Sequence, residues 1–143
     1  MTEMKSSYAY ILAAVLGYVV AHTIKYFLQP KGKRTLKRWV ETGGFPSSHT
    51  TVVVALTFAI FMHEGVSTLF AVSGVFAAIV IQDALSSRRS VGEQGAALSR
   101  LIQKVTPGET TPLVAMGHTV KDVLGGVCFG IIVGIIVALF ITI

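Results

Sequence analysis

Cysteine is almost absent from this chain of 143 residues: Cys128 stands alone, so no internal disulfide can form and cysteine usage marks no redox compartment. Charge is scarce as well. Only 13% of residues are charged, against roughly 25% in an ordinary soluble domain, which excludes a water-soluble globule. Acidic residues are the scarcer sign, 7 against 12 basic, for a formal charge of +5. The basic residues cluster between Lys25 and Arg38 and again at Arg88–Arg89, in segments squeezed between apolar runs. Segments that short speak against nucleic acid and leave cytoplasmic loops, anionic headgroups or a phosphate-bearing ligand. Convincing internal repeats and low-complexity segments are also missing.

Apolar sequence is what the chain has in abundance. Hydrophobic residues make up 52% and mean hydropathy is +0.70. The pattern predicts an all-α polytopic membrane helix bundle, one domain over 1–143. About four transmembrane helices are expected, at about 8–28, 46–63, 66–85 and 120–143, with one amphipathic interfacial helix at about 91–105. The first run would rise about 31 Å as a helix, enough to cross a bilayer. It exceeds a signal-peptide core and lacks a small-residue cleavage site, so it reads as a retained span. Lys25, a turn from its end, either snorkels to headgroups or points inward at a ligand.

The segment Gly43-Gly44-Phe45-Pro46-Ser47-Ser48-His49-Thr50 leads from basic sequence into the second apolar run. Glycines permit a tight backbone, and proline suits a first helical turn. Ser47 and Ser48 are then expected in that turn, where free N–H groups and the positive dipole end favour an anion. His49 adds a group that changes charge near neutral pH. In the preceding basic stretch Arg38, closest to this cradle, is the candidate ligand. His63 reads as interfacial, without a chemical role.

Val66 opens a third apolar run that contains Ser73-Gly74, a small-residue packing point, and ends in Gln82-Asp83. A carboxylate there needs a partner, and Arg88 and Arg89 lie within reach. Leu98, Leu101, Ile102 and Val105 form a stripe opposite Arg100, Gln103 and Lys104, the pattern of a helix lying on a membrane surface. Thr106-Pro107-Gly108 ends it. In the last run Gly126, Gly130 and Gly134 recur every fourth residue, a smooth face suited to the bundle or to a homodimer.

His118 and Asp122 are four apart, on one helical face. Aspartate fixes an imidazole tautomer and makes the other ring nitrogen a better nucleophile or base. With four spans, both basic connections fall on one side of the membrane, so His49, His118, Asp83, Arg88 and Asp122 share a face. Two histidines can divide phosphoryl transfer between attack and leaving-group protonation, and arginines hold phosphoryl oxygens. A metal site from His49, His118, Asp83, Glu93 and Asp122 is the weaker reading, because so basic a cluster repels a cation. Neither a metal nor a cofactor is expected.

Pro46-Ser47-Ser48-His49 and His118-Thr119-Val120-Lys121-Asp122 resemble two signatures of the type 2 phosphatidic acid phosphatase superfamily. Three stretches, 42–50, 83–94 and 117–125, resemble its divergent branch of small integral membrane proteins. The resemblance implies a phosphatase for a lipid phosphate or pyrophosphate. His118 would form a phosphohistidine, Asp122 would orient it, and His49 would act as general acid. Lys25, Arg38, Ser47, Ser48, Asp83, Arg88, Arg89 and Glu93 would form the phosphate-binding set. The chain departs from the common signatures at Ser48, which replaces a glycine, and at Thr111-Pro112, which replaces a Ser-Arg pair. Arg88 or Arg89 then takes the arginine's place. The alternative is a non-enzymatic binder or transporter of an anionic lipid or phosphate. The expected partners are a phosphorylated lipid substrate and membrane lipids. The expected location is the cell (inner) membrane with the site facing the cytoplasm.

Overall fold

A computed structural model describes residues 2–30, 44–111 and 118–141. Among the described residues the helices are, in order, α1 (Thr2–Leu28), α2 (Ser48–Glu64), α3 (Thr68–Leu85), α4 (Ser87–Val105) and α5 (Val120–Ile141). No strand occurs among the described residues. Among the described residues three stretches are long and apolar enough to cross a membrane: Ser7–Leu28, Thr68–Val105 and Val120–Phe140. The architecture is a membrane helix bundle.

Local chemistry sets the helix ends. Ser47 is the N-cap of α2, and its hydroxyl accepts from Thr50 N–H. The helix therefore starts two residues after Pro46, which lies outside it rather than in its first turn. Gly65 closes α2 at φ 65°, and its N–H donates to the Phe61 carbonyl. Ser67 caps α3 by accepting from Phe70 N–H at 3.1 Å. Only Ser86 separates α3 from α4. Helix α4 begins at Ser87, earlier than the polar sequence predicts, with Arg88 bound back to Asp83 at 2.7 Å across the junction.

Helix α2 is the hub, packed against α1, α3 and α5. Small residues make this approach close. A Cβ on Gly126 would lie 2.7 Å from the Ser47 carbonyl oxygen, and one on Gly130 or Gly134 would lie 2.7 Å from Val54 or Phe58 Cβ. The stripe thus packs α5 against α2 within one chain. That is the first of the two uses its spacing allowed. On α3 the packing residue is Ser73, which is buried, whereas Gly74 has open space around its Cα.

Two apolar clusters fill the interior. One joins Ala9 and Ala13 of α1 to Ala55, Ala59 and Ile60 of α2 and Val133 and Val137 of α5. The other joins Val53 and Val54 to Ala77, flanked by Val80, Ile81, Val127 and Ile131. Large apolar side chains point outwards instead, among them Ile11, Val72, Val75, Ile79 and Leu139. An apolar exterior over a small-residue interior is membrane packing, where burial of apolar area does not drive helix association.

Candidate functional site

The C-terminal end of α1, the N-terminal end of α2, the junction of α3 with α4 and the start of α5 gather chemically active groups. Lys25 is 6% exposed and donates from Nζ to Ser48 Oγ at 3.1 Å, its hydrogen bond among the described residues. A buried ammonium is tolerated only when paired or ligand-directed. Two of its three N–H donors remain for a ligand. The Asp122 carboxylate acts on it electrostatically.

Ser47 is fully buried, and its hydroxyl accepts from Thr50 Oγ1 at 2.9 Å as well as from Thr50 N–H. It therefore holds the helix start. Its backbone N–H donates to the Asp122 carbonyl at 2.8 Å. This bond ties the start of α5, which follows His118, to the start of α2, which carries His49.

His118 is 3% exposed, and its Nδ1 has no hydrogen-bond partner among the described residues. Burial, first, and then the Lys25 charge hold its imidazole below the usual 6.5, with Asp122 acting the other way and His49 and Arg88 adding to the lowering. The neutral ring, the form with a lone pair to attack or take a proton, is thus favoured at neutral pH. Nδ1 lies 4.0 Å from Asp122 Oδ2, an ionic neighbour beyond hydrogen-bonding distance. The carboxylate instead accepts from Thr119 N–H at 2.8 Å, while Thr119 Oγ1 accepts from Asp122 N–H at 3.3 Å. Thr119 and Asp122 form a reciprocal capping box on α5. Asp122 therefore makes no direct hydrogen bond to His118.

His49 is half-buried, with its Nδ1 likewise buried and unpartnered among the described residues. Arg88, Lys25, His22 and Asp83 all act on its ring electrostatically. Arg88 Nε donates to Asp83 Oδ2, leaving the guanidinium's other donors for a ligand. Arg89 Nε donates to Glu93 Oε1 at 3.0 Å on an exposed face. That pair belongs to the surface of α4, so of the two arginines Arg88 is the one placed with the histidines. Arg38 lies outside the described residues. No group of three His, Cys, Asp or Glu side chains gathers to hold a metal among the described residues.

One residue of this end escaped the motif reading. His22 is 2% exposed on α1, one turn before Lys25, with Tyr18 packed on it at 4.2 Å between ring centroids. The signal was present: a histidine three residues before a lysine, on one face of an apolar helix.

The far end of the bundle is plain by contrast. Tyr10 OH donates to Glu64 Oε1 at 2.8 Å and Ser67 Oγ to Glu64 Oε2 at 2.9 Å, tying α1, α2 and α3 together. Among the described residues the candidate groups collect at one end.

Among known proteins, residues 6–133 match the divergent PAP2 family. An uncharacterized membrane protein of Bacillus subtilis (strain 168), YuiD, is 32% identical over 91% of this chain and 94% of its own length. No solved structure matches. With the match running from α1 into α5, and with all three signature stretches inside it, the chain belongs to the divergent PAP2 family of membrane proteins.

Proposed function

We propose that this protein is a membrane-embedded phosphatase acting on a lipid phosphate or diphosphate through a phosphohistidine. One observation carries the reading: an almost fully buried His118 with an unpartnered Nδ1 shares one end of the bundle with His49, Lys25 and Arg88. Burying unpaired polar nitrogens and a lysine together costs stability, and a bound phosphoryl group supplies the missing partners.

In this reading α2, about 26 Å long, is the fourth crossing, and the site lies at its polar first turn. Lys25, Arg88 and the free N–H groups of that turn hold the phosphoryl oxygens. A ring nitrogen of His118 attacks phosphorus, the bond to the leaving oxygen breaks, and His49 gives that oxygen a proton. His49 then takes a proton from water, whose oxygen attacks phosphorus and breaks the P–N bond, releasing phosphate and restoring His118. No metal takes part in this scheme.

A non-enzymatic anionic-lipid binder or transporter is the second reading. It is favoured by the carboxylate of Asp122, which is bound to Thr119 N–H and stands 4.0 Å from the histidine it would orient. Substitution separates the two. The phosphatase reading requires loss of turnover in both His49→Ala and His118→Ala with the fold intact. The binder reading requires lipid retention without phosphate release in the unaltered protein.

A further inference from the structure

We propose that α4 is a docking helix for the anionic surface of the bilayer, lying along the interface where α3 emerges. This inference stands apart from catalysis. Helix α3 rises about 27 Å, close to the thickness of a hydrocarbon core. Because only Ser86 follows it before Ser87 starts the next helix, α4 begins at the membrane boundary.

Among the described elements α4 touches only α3. Its side chains divide into three sectors. Gly92 is buried and Gly95, Ser99 and Ile102 are half-buried, so this edge faces protein. Val91, Leu98, Leu101 and Val105 form an apolar stripe that stays 61%, 49%, 57% and 70% exposed. Opposite the stripe stand Arg89, Glu93, Arg100 and Lys104. Within α4 the four cations Arg88, Arg89, Arg100 and Lys104 face one carboxylate, Glu93, which pairs with Arg89. Arg100 and Lys104 form no ion pair among the described residues.

Those features commit the stripe to one occupant. An apolar face beside unmatched cations, joined directly to a membrane-length helix, fits acyl chains below and anionic headgroups alongside. Each cation near such a surface adds attraction that salt weakens. A helix held this way also fixes the depth of Arg88, at its second position, beside the candidate site.

The test uses the full-length protein with Cys128→Ser and single spin-labelled cysteines at Leu98, Leu101 or Arg100. It is reconstituted in nanodiscs of phosphatidylcholine alone or mixed with phosphatidylglycerol. Labels at Leu98 and Leu101 should collide with dissolved oxygen more than with a water-soluble nickel chelate, and the label at Arg100 should do the reverse. Phosphatidylglycerol should sharpen that contrast, and Arg100→Gln with Lys104→Gln should abolish the sharpening. Stripe labels as open to nickel as the Arg100 label would place α4 in water and overturn the proposal. Labels shielded from both reagents, or broadened by a second label nearby, would assign the stripe to protein or to another copy and overturn it too. A contrast indifferent to phosphatidylglycerol would remove the anionic preference.

Discussion

His118 illustrates how burial sets chemistry at a single residue. Its lowered proton affinity means that the folded chain binds fewer protons there than the unfolded chain does below about pH 6.5. Its contribution therefore favours folding fully above that pH and weakens as pH falls through it, until the buried ring itself protonates. Two substitutions should shift this titration in opposite senses. Lys25→Met removes a cation that disfavours the imidazolium, so the His118 midpoint should rise. Asp122→Asn removes a favourable anion, so it should fall, while the amide oxygen can still accept from Thr119 N–H. Histidine 15N NMR in micelles reads both without requiring turnover; shifts of the same sign would refute the electrostatic account. Ser47 makes a different prediction. Ser47→Ala deletes the N-cap of α2 and should cost about 1–2 kcal/mol in thermal or denaturant unfolding. If its hydroxyl instead held phosphate, KM would rise and stability would not fall.

At the scale of elements, the glycine stripe and the helix ends matter most. Gly126→Ala puts a methyl 2.7 Å from the Ser47 carbonyl oxygen and 2.8 Å from Thr50 Cβ. Overpacking of this kind costs about 1–3 kcal/mol and pushes the start of α5 away from α2, where both candidate histidines sit. Gly74→Ala meets nothing within 4 Å and should leave stability unchanged or raise it by up to about 1 kcal/mol. Equal thermal stability for the two variants would contradict the packing described here.

The order and kind of these elements were legible because apolar runs broken by polar turns have few other solutions in a chain this poor in charge. Boundaries were less so. Pro46 fits a first helical turn in isolation, but Ser47 caps with its own hydroxyl and sets the start at Ser48. The opening of α4 fell outside the expected 91–105 because Ser87-Arg88-Arg89 is polar, although the pairing of Asp83 with an arginine just beyond it, which steadies the junction, was legible. In the site, His118 and Asp122 were visible as an i, i+4 pair, yet Thr119-x-x-Asp122 is equally a capping box, and the backbone took the carboxylate. His22 carries no motif, and only the packing of α1 shows that it is buried.

For the whole molecule, the question is how one end of the bundle faces the membrane and the cell. Lys31, Lys33, Arg34 and Lys37 lie in the sequence between the C-terminal end of α1 and the N-terminal end of α2, the two helix ends at which candidate residues collect. From the positive-inside rule we propose that this end faces the cytoplasm. A cysteine at Lys33, with Cys128→Ser, should resist membrane-impermeant labelling in intact cells and react after lysis. Labelling from outside would reverse the orientation without altering the chemistry.

The most direct test of the central claim is phosphate release by the detergent-purified protein. Phosphatidate, phosphatidylglycerophosphate and polyprenyl mono- and diphosphates form the panel, each with and without EDTA and beside His118→Ala. The account predicts release from at least one lipid, unchanged by EDTA and abolished in the folded His118→Ala variant. Release that survives the substitution would contradict the histidine mechanism. No release from any member, with lipid still bound, would contradict the enzyme and leave a phosphate-binding membrane protein built on the same site.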